Sequence, residues 1–162
     1  MSISAGDSIP FTTFLKSVDF KMEQVDGETL FTERNVVLFA LPGAYTATCD
    51  SQHVPSFIRV ADALRAKGVD EIVCLATNDP WVMEAWGKST GGVDAGISFL
   101  SDPESKFTAA IDMIMDVPAV GFHQRSKRYS MYVKNGVVEI YNPEIERGTS
   151  EISGGEALLA QI

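Results

Sequence analysis

Residues 35–76 decide the fold class, and they read NVVLFALPGAYTATCDSQHVPSFIRVADALRAKGVDEIVCLA. The stretch opens with an apolar run over residues 35–41 and closes with another from Glu71 to Ala76, each typical of a strand buried on both faces. Between them, apolar residues recur at helical spacing from Val54 to Leu64, and Lys67-Gly68 is a typical helix end. A strand, a helix and a second strand in this order predict a βαβ unit with parallel strands.

Helices and strands continue to alternate on both sides of this unit. Ahead of it we predict two short strands, from Thr12 to Phe20 and from Lys21 to Val25. After it we predict a helix from Pro80 through Trp86, a strand over residues 97–100, and a helix over residues 103–112 whose preceding aspartate is the cap.

A hairpin and a final helix follow in the C-terminal quarter. Two predicted strands, from Arg128 to Val133 with an alternating residue pattern and from Val137 to Tyr141, flank Asn135-Gly136. This dipeptide is typical of a type I′ turn. Ser153 and Glu156 have the spacing of a capping box, which predicts a last helix. Because a hairpin is antiparallel whereas the βαβ strands are parallel, the sequence predicts an α/β sandwich with helices flanking a mixed central sheet.

Length and charge exclude several classes of protein. The 162 residues contain neither a repeat nor a linker, so we expect a single domain over residues 1–162. With 22 acidic against 13 basic residues and a net charge of −9, no nucleic-acid or anionic-membrane partner is expected. The longest strictly apolar run, from Val36 to Leu41, is too short to span a bilayer, and the N-terminus lacks the pattern of a secretory signal. We therefore expect a cytoplasmic location with thiols that are reduced or reactive.

Of the two cysteines, Cys49 has the more informative position. It follows the first buried strand where the helix should begin, and the unpaired N–H groups of a helix start stabilise a thiolate, the nucleophilic form. Thr46 could donate a hydrogen bond to the sulfur or to a substrate oxygen, and Pro42 could shield the sulfur from water. The alternative is an inert buried thiol, which the neighbouring Asp50 carboxylate favours because it opposes ionisation.

PGAYTATC, followed by HVPSF, resembles the active-site segment of the type II (peroxiredoxin-5-like) peroxiredoxins, where P-G-A-F-T-P-T-C and H-L-P-G-F are typical. The resemblance continues in order through CLATND, a Trp-Gly pair, SDP, RSKRYSM and the NGVV turn, and so covers nearly the whole chain. Ala47 and Asp50 depart from the usual family residues. The resemblance implies a thioredoxin-like fold, a three-layer sandwich with a mixed sheet.

The resemblance also implies a thiol-dependent peroxidase that needs no organic cofactor, and the Cys and His spacing does not fit a zinc site. Cys49 would attack a hydroperoxide, either hydrogen peroxide or an alkyl hydroperoxide, and become a sulfenic acid. The family pattern of Pro, Thr and Cys falls on Pro42, Thr46 and Cys49, and alignment of RSKRYSM makes Arg128 the catalytic arginine.

Two further residues have open assignments. Cys74 is either a core residue or, as in some type II peroxiredoxins, a resolving thiol, although a thiol in mid-strand would need local unfolding to reach Cys49. His53, one helical turn after Cys49, could support the thiolate, contact backbone near the site, or serve only in packing. Ile152 stands near the position where animal relatives have a C-terminal resolving cysteine. We therefore favour a one-cysteine cycle.

In such a cycle, an external thiol, either glutathione with glutaredoxin or thioredoxin, would regenerate Cys49. The resemblance further implies a homodimer, with Tyr45 and Phe122 near the contact. The main alternative function is a redox sensor or interaction protein that signals through oxidation of Cys49, and a third possibility is a purely structural thiol.

Overall fold

The two apolar runs of the βαβ unit form adjacent parallel strands inside a mixed sheet. In the computed structural model, which describes residues 2–162, seven strands form this sheet in the order β2-β1-β5-β4-β3-β8-β9. The strands of the sheet are β1 Thr13–Val18, β2 Lys21–Asp26, β3 Asn35–Ala40, β4 Glu71–Ala76, β5 Ile97–Ser101, β8 Tyr129–Lys134 and β9 Val137–Pro143. A separate antiparallel pair contains β6 Ile114–Val117 and β7 Phe122–Ser126.

Helices cover both faces of the sheet and make three layers. The helices are α1 Gly27–Phe31, α2 Val54–Ala66, α3 Pro80–Thr90, α4 Lys106–Ala110 and α5 Gly155–Leu159. Side chains of α2, α3 and α5 share one buried apolar cluster with every second residue of β3. Side chains of α1 and α4 share a second cluster with the other apolar residues of β3, on the opposite face of the sheet. Among residues 2–162, no helix has the length and apolarity needed to cross a membrane.

Several predicted elements are confirmed with nearly the predicted bounds. β3 and β4 pair in parallel, and α2 connects them and ends before Gly68, which has a φ of +92°. In the hairpin, Asn135 and Gly136 have φ angles of 47° and 77°, and positive φ at both positions is the requirement of a type I′ turn. The predicted α/β sandwich with a mixed sheet is therefore confirmed.

Three predicted helices have wrong boundaries. α3 continues past Trp86 to Thr90, and α4 spans Lys106–Ala110 instead of residues 103–112, although the Asp102 carboxylate still accepts from the N–H of Thr108 at 2.9 Å. The capping box does not form, since α5 begins at Gly155.

The two capping-box side chains have other partners. Ser153 Oγ donates to Glu144 at 2.8 Å, and Glu156 accepts from Arg59 at 2.7 Å. These partners are distant in sequence, so local spacing could not distinguish them from a cap.

Candidate active site

Cys49 lies in the connection from β3 to α2, at the start of a π-helical turn over Cys49–His53. Helical conformation begins at residue 47, and the Val54 N–H donates to the Cys49 carbonyl across the wider turn. Turns of this kind occur frequently at functional sites. The Cys49 side chain is buried, with 1% of its surface exposed, and it belongs to the apolar cluster under α2.

The guanidinium of Arg128 contacts the sulfur directly. Arg128 precedes β8, and its Nη2 donates to Cys49 Sγ at 3.2 Å. Its Nη1 lies 3.0 Å from His53 Nδ1. Because a guanidinium can only donate, Nδ1 must be the acceptor, and this residue pair determines the tautomer of the imidazole. Arg128 is 7% exposed, so the charge acts on the sulfur with little screening by water.

His53 is neutral in this arrangement. Its Nε2 lies 3.0 Å from the Ser153 carbonyl oxygen, and with Nδ1 accepting, the N–H must be on Nε2 and donate to that oxygen. Complete burial, followed by the positive charge of Arg128, lowers the pKa of His53 to about 3. His53 therefore orients the guanidinium and contacts backbone near the site, without adding a second positive charge beside Cys49.

The carboxylate next to the nucleophile has a hydrogen-bond partner in α3. Asp50 Oδ1 accepts from the indole N–H of Trp86 at 2.7 Å, and the Trp86 side chain is fully buried in α3. The Asp50 carboxylate therefore links the π-helical turn to α3, a contact that the sequence did not predict.

The loop before Cys49 is fixed by contacts that the sequence did not predict. Arg125 Nη1 donates to the Pro42 carbonyl at 3.1 Å and lies 3.4 Å from Asn78 Oδ1, which also accepts from the Ala44 N–H at 2.9 Å. A Cβ at Gly43 would come within 2.5 Å of Arg125 Nη1, so a larger residue here would displace the guanidinium. RSKRYSM and CLATND contain Arg125 and Asn78, but neither motif indicates this contact.

The structure brings Pro42, Thr46, Cys49 and Arg128 to one region, with one detail that differs from expectation. The Thr46 hydroxyl donates to the Gly43 carbonyl at 2.7 Å instead of to the sulfur. A cavity of about 220 Å³ lies against Pro42 and Arg128. Its other lining residues are Met115, Lys127, Glu144, Ile145, Glu146, Arg147 and Gly148. This space is large enough for a small hydroperoxide beside the guanidinium.

Cys74 does not line this cavity. It lies in β4, opposite Phe39 of β3 and Phe99 of β5, and its exposed fraction is 0%. Burial, followed by the proximity of Cys49, raises the pKa of the Cys74 thiol well above its usual value. Both cysteines are free thiols, and the environment of Cys74 is that of an unreactive core residue.

Comparisons with known proteins agree with this geometry. The Redoxin family model matches residues 4–159. Peroxiredoxin-2C of rice (Oryza sativa subsp. japonica) is 42% identical over 142 residues, which cover 88% of this chain and 86% of the rice protein.

Two solved structures are also similar. Reduced Prx3 from Vibrio vulnificus in complex with hydrogen peroxide has a TM-score of 0.90 at 38% identity, covering 98% of this chain and 95% of that one. Peroxiredoxin 5 from Alvinella pompejana has a TM-score of 0.84 at 28% identity, covering 98% and 96%. The chain belongs to the peroxiredoxins, enzymes with thiol-dependent peroxidase activity and a thioredoxin-like fold, and within them to the type II (peroxiredoxin-5-like) group.

Proposed function

We propose that this protein reduces hydrogen peroxide and alkyl hydroperoxides at Cys49 and that Arg128 is the residue that activates both the thiol and the peroxide. The observation that carries the proposal is the 3.2 Å contact from Arg128 Nη2 to Cys49 Sγ inside a site shielded from water. A buried guanidinium favours the thiolate and can also donate to a peroxide oxygen that enters the adjacent cavity.

In the proposed reaction, the Cys49 thiolate attacks the terminal oxygen of the hydroperoxide. The sulfur–oxygen bond forms as the oxygen–oxygen bond breaks, so the peroxide is reduced and the cysteine is oxidised to a sulfenic acid. The leaving alkoxide or hydroxide takes up a proton and departs as alcohol or water. In this proposal, Thr46 contacts the substrate once its hydroxyl leaves the Gly43 carbonyl, and Pro42, which lines the cavity, keeps water from the sulfur.

Regeneration of Cys49 requires an external thiol in this proposal, because Cys74 is buried in the central strand β4. A thiol of glutathione, glutaredoxin or thioredoxin would condense with the sulfenic acid, releasing water and forming a mixed disulfide. A second thiol would then reduce that disulfide. The single-domain organisation over residues 1–162, the homodimer and the cytoplasmic location stay predictions.

The test compares Cys49→Ser with Cys74→Ser under the same peroxide and thiol reductant. We expect peroxide consumption to be abolished in Cys49→Ser and mostly retained in Cys74→Ser. Intact mass after one equivalent of peroxide should show one added oxygen atom on Cys49. Peroxide reduction by Cys49→Ser at the parent rate would falsify the proposal. Slow turnover with a long-lived sulfenic acid would instead favour the redox-sensor alternative.

A further inference from the structure

Behind the guanidinium, four residues form a closed ring of hydrogen bonds. The Glu144 N–H donates to the Arg128 carbonyl at 2.9 Å. The Glu144 carboxylate accepts from the Ser153 N–H at 2.9 Å and from Ser153 Oγ at 2.8 Å. The Ser153 carbonyl accepts from His53 Nε2 at 3.0 Å, and His53 Nδ1 accepts from Arg128 Nη1 at 3.0 Å. The ring thus joins the backbone of Arg128 to the end of its own side chain.

We propose that Glu144 is a positioning residue for the Arg128 guanidinium, and that it acts through Ser153 and His53. The inference rests on the proposed function, in which Arg128 activates Cys49. Glu144 does not touch the sulfur. Its carboxylate determines where the Ser153 carbonyl lies, that carbonyl orients the imidazole, and the imidazole orients the guanidinium fork.

The contacts of Glu144 suit this role. Its carboxylate also accepts from Thr149 Oγ1 at 3.0 Å, so it organises the irregular segment between β9 and α5. Partial burial raises the pKa of Glu144, but the hydrogen bonds from Ser153 and Thr149 outweigh it and hold this pKa below its usual value. The carboxylate is therefore ionised at neutral pH, and its bonds to Ser153 are of the stronger, charge-assisted kind.

Burial makes the hydrogen bonds of this four-residue ring difficult to replace. Ser153 and His53 each have an exposed fraction of 0%, so water has little access to substitute for either partner if the carbonyl moves. A buried imidazole N–H that loses its acceptor carries the full cost of desolvation. The imidazole would then turn, and the guanidinium would lose its acceptor at Nδ1.

A through-space effect of Glu144 would have the opposite sign. Removing a negative charge near the site makes the potential at Cys49 more positive, which favours the thiolate and should speed its reactions. If Glu144 instead positions Arg128, its removal displaces the guanidinium from the sulfur and should slow the reactions of Cys49. The direction of the change therefore separates the two roles.

The test compares Glu144→Gln with Glu151→Gln. Both variants remove one negative charge from the segment between β9 and α5. Glu151 is exposed, does not line the cavity, and its carboxylate has no hydrogen bond or ion pair within residues 2–162. The measurements are the second-order rate constant for oxidation of Cys49 by hydrogen peroxide, and the rate of Cys49 alkylation by iodoacetamide at neutral pH. Both are made in a Cys74→Ser background.

We expect Glu144→Gln to lower both rates about tenfold, the effect of weakening one charge-assisted contact. Glu151→Gln should stay within about twofold of its parent, as a surface charge should. Thr149→Val loosens the same segment but leaves the bonds from Glu144 to Ser153, so it should retain the parent rates. Urea unfolding shows whether each variant is folded. If Glu144→Gln alone were unfolded, Ser153→Ala would take its place. This variant removes only the Oγ donor, so it should lower both rates by less than the tenfold expected for Glu144→Gln.

Parent or faster rates in folded Glu144→Gln would overturn the positioning role, as would equal losses in Thr149→Val. Failure of the proposed function has a different signature. Cys49 in the parent protein would then not be oxidised by peroxide, whereas the alkylation comparison would still measure how Glu144 affects the thiol.

Discussion

His53 illustrates how a residue can support an ionic site while remaining neutral itself. Its ring accepts from Arg128 at Nδ1 and donates to the Ser153 carbonyl at Nε2. It also makes edge contacts with Phe39 and Phe57, at centroid distances of 5.1 Å and 5.7 Å. A protonated imidazole would lose its acceptor atom and place a second cation against the guanidinium. The apolar surroundings and Arg128 both oppose that state.

This neutrality makes stability depend on pH. The pKa of His53 is about 3 in the folded protein and about 6.5 in the unfolded chain, so between these values only the unfolded chain binds the proton. We expect the free energy of unfolding to fall as pH falls below about 6.5, by up to about 1.4 kcal/mol per pH unit from this group. Urea unfolding at several pH values measures the slope.

The matched variants are His53→Gln and His123→Gln. His53→Gln should flatten the dependence on pH between about 6.5 and about 3, because it removes the group that titrates only after unfolding. His123, whose ring is mostly exposed beside Asp116, should leave the slope unchanged when it is replaced. An unchanged slope in His53→Gln would show that the imidazole is already protonated in the folded protein.

Among the elements, the turn between β1 and β2 depends on a carboxylate from α3. Asp19 and Phe20 have φ angles of 49° and 63°, in the left-handed region that such residues rarely adopt. Glu84 accepts from their N–H groups at 2.8 and 3.2 Å, from the Ser17 hydroxyl, and from Lys88 Nζ at 2.6 Å. Glu84 therefore holds the hairpin against the helix.

We expect Glu84→Gln to lower the free energy of unfolding at neutral pH. The hydrogen bond from Lys88, followed by that from Ser17, lowers the pKa of Glu84 from 4.5 to about 2. A lowered pKa stabilises the folded protein above the unfolded value, and this contribution is lost as pH falls through about 2. The difference from the parent should therefore shrink between these values, as urea unfolding can measure.

Glu23→Gln, an exposed carboxylate on β2, is the control and should change little. If the deficit of Glu84→Gln persisted undiminished down to the lowest pH, the stabilisation would come from the shape of the side chain and not from its charge.

The elements that could be predicted from sequence are those with a local pattern. The apolar runs of β3 and β4 and the Asn135-Gly136 turn have one each, because burial on both faces and positive φ restrict residue types. α1 has only five residues, too few for a helical period, and its cap Asp26 is visible only once the helix is known. The π-helical turn at Cys49 likewise has no local sequence pattern that predicts it.

The residues of the candidate site likewise differ in whether a local pattern predicts them. Cys49 was identifiable from its position between a strand and a helix, and Arg128 only from resemblance to a family. Arg125 contacts the loop before Cys49, and Glu144 accepts from Ser153, nine residues further along the chain. No local spacing reveals either contact. Contacts of this kind become visible only in the folded structure.

At the scale of the whole molecule, Cys74 occupies the most protected position of the sheet. β4 is the middle strand of the seven in residues 2–162, with a parallel neighbour on each side. Both clusters of buried apolar residues contain side chains from this strand. A reagent can reach the sulfur only if these layers separate.

We therefore expect Cys74, in a Cys49→Ser background, to react with thiol reagents only through global unfolding. The labelling rate should rise with urea with the same slope as the equilibrium unfolding transition, because both expose the same surface. Labelling of unfolded protein gives the reference rate. A much shallower slope would indicate local opening of β4, and would return Cys74 to consideration as a resolving thiol.

The contact between Asp50 and Trp86 makes the site observable by optical methods. The chain has two tryptophans, and one of them donates its indole N–H to the residue that follows the nucleophile. Movement of the π-helical turn changes the field around that buried ring and hence its fluorescence. With the half-exposed Trp81 replaced by Phe, the emission of a single intrinsic fluorophore would report each oxidation of Cys49 in real time.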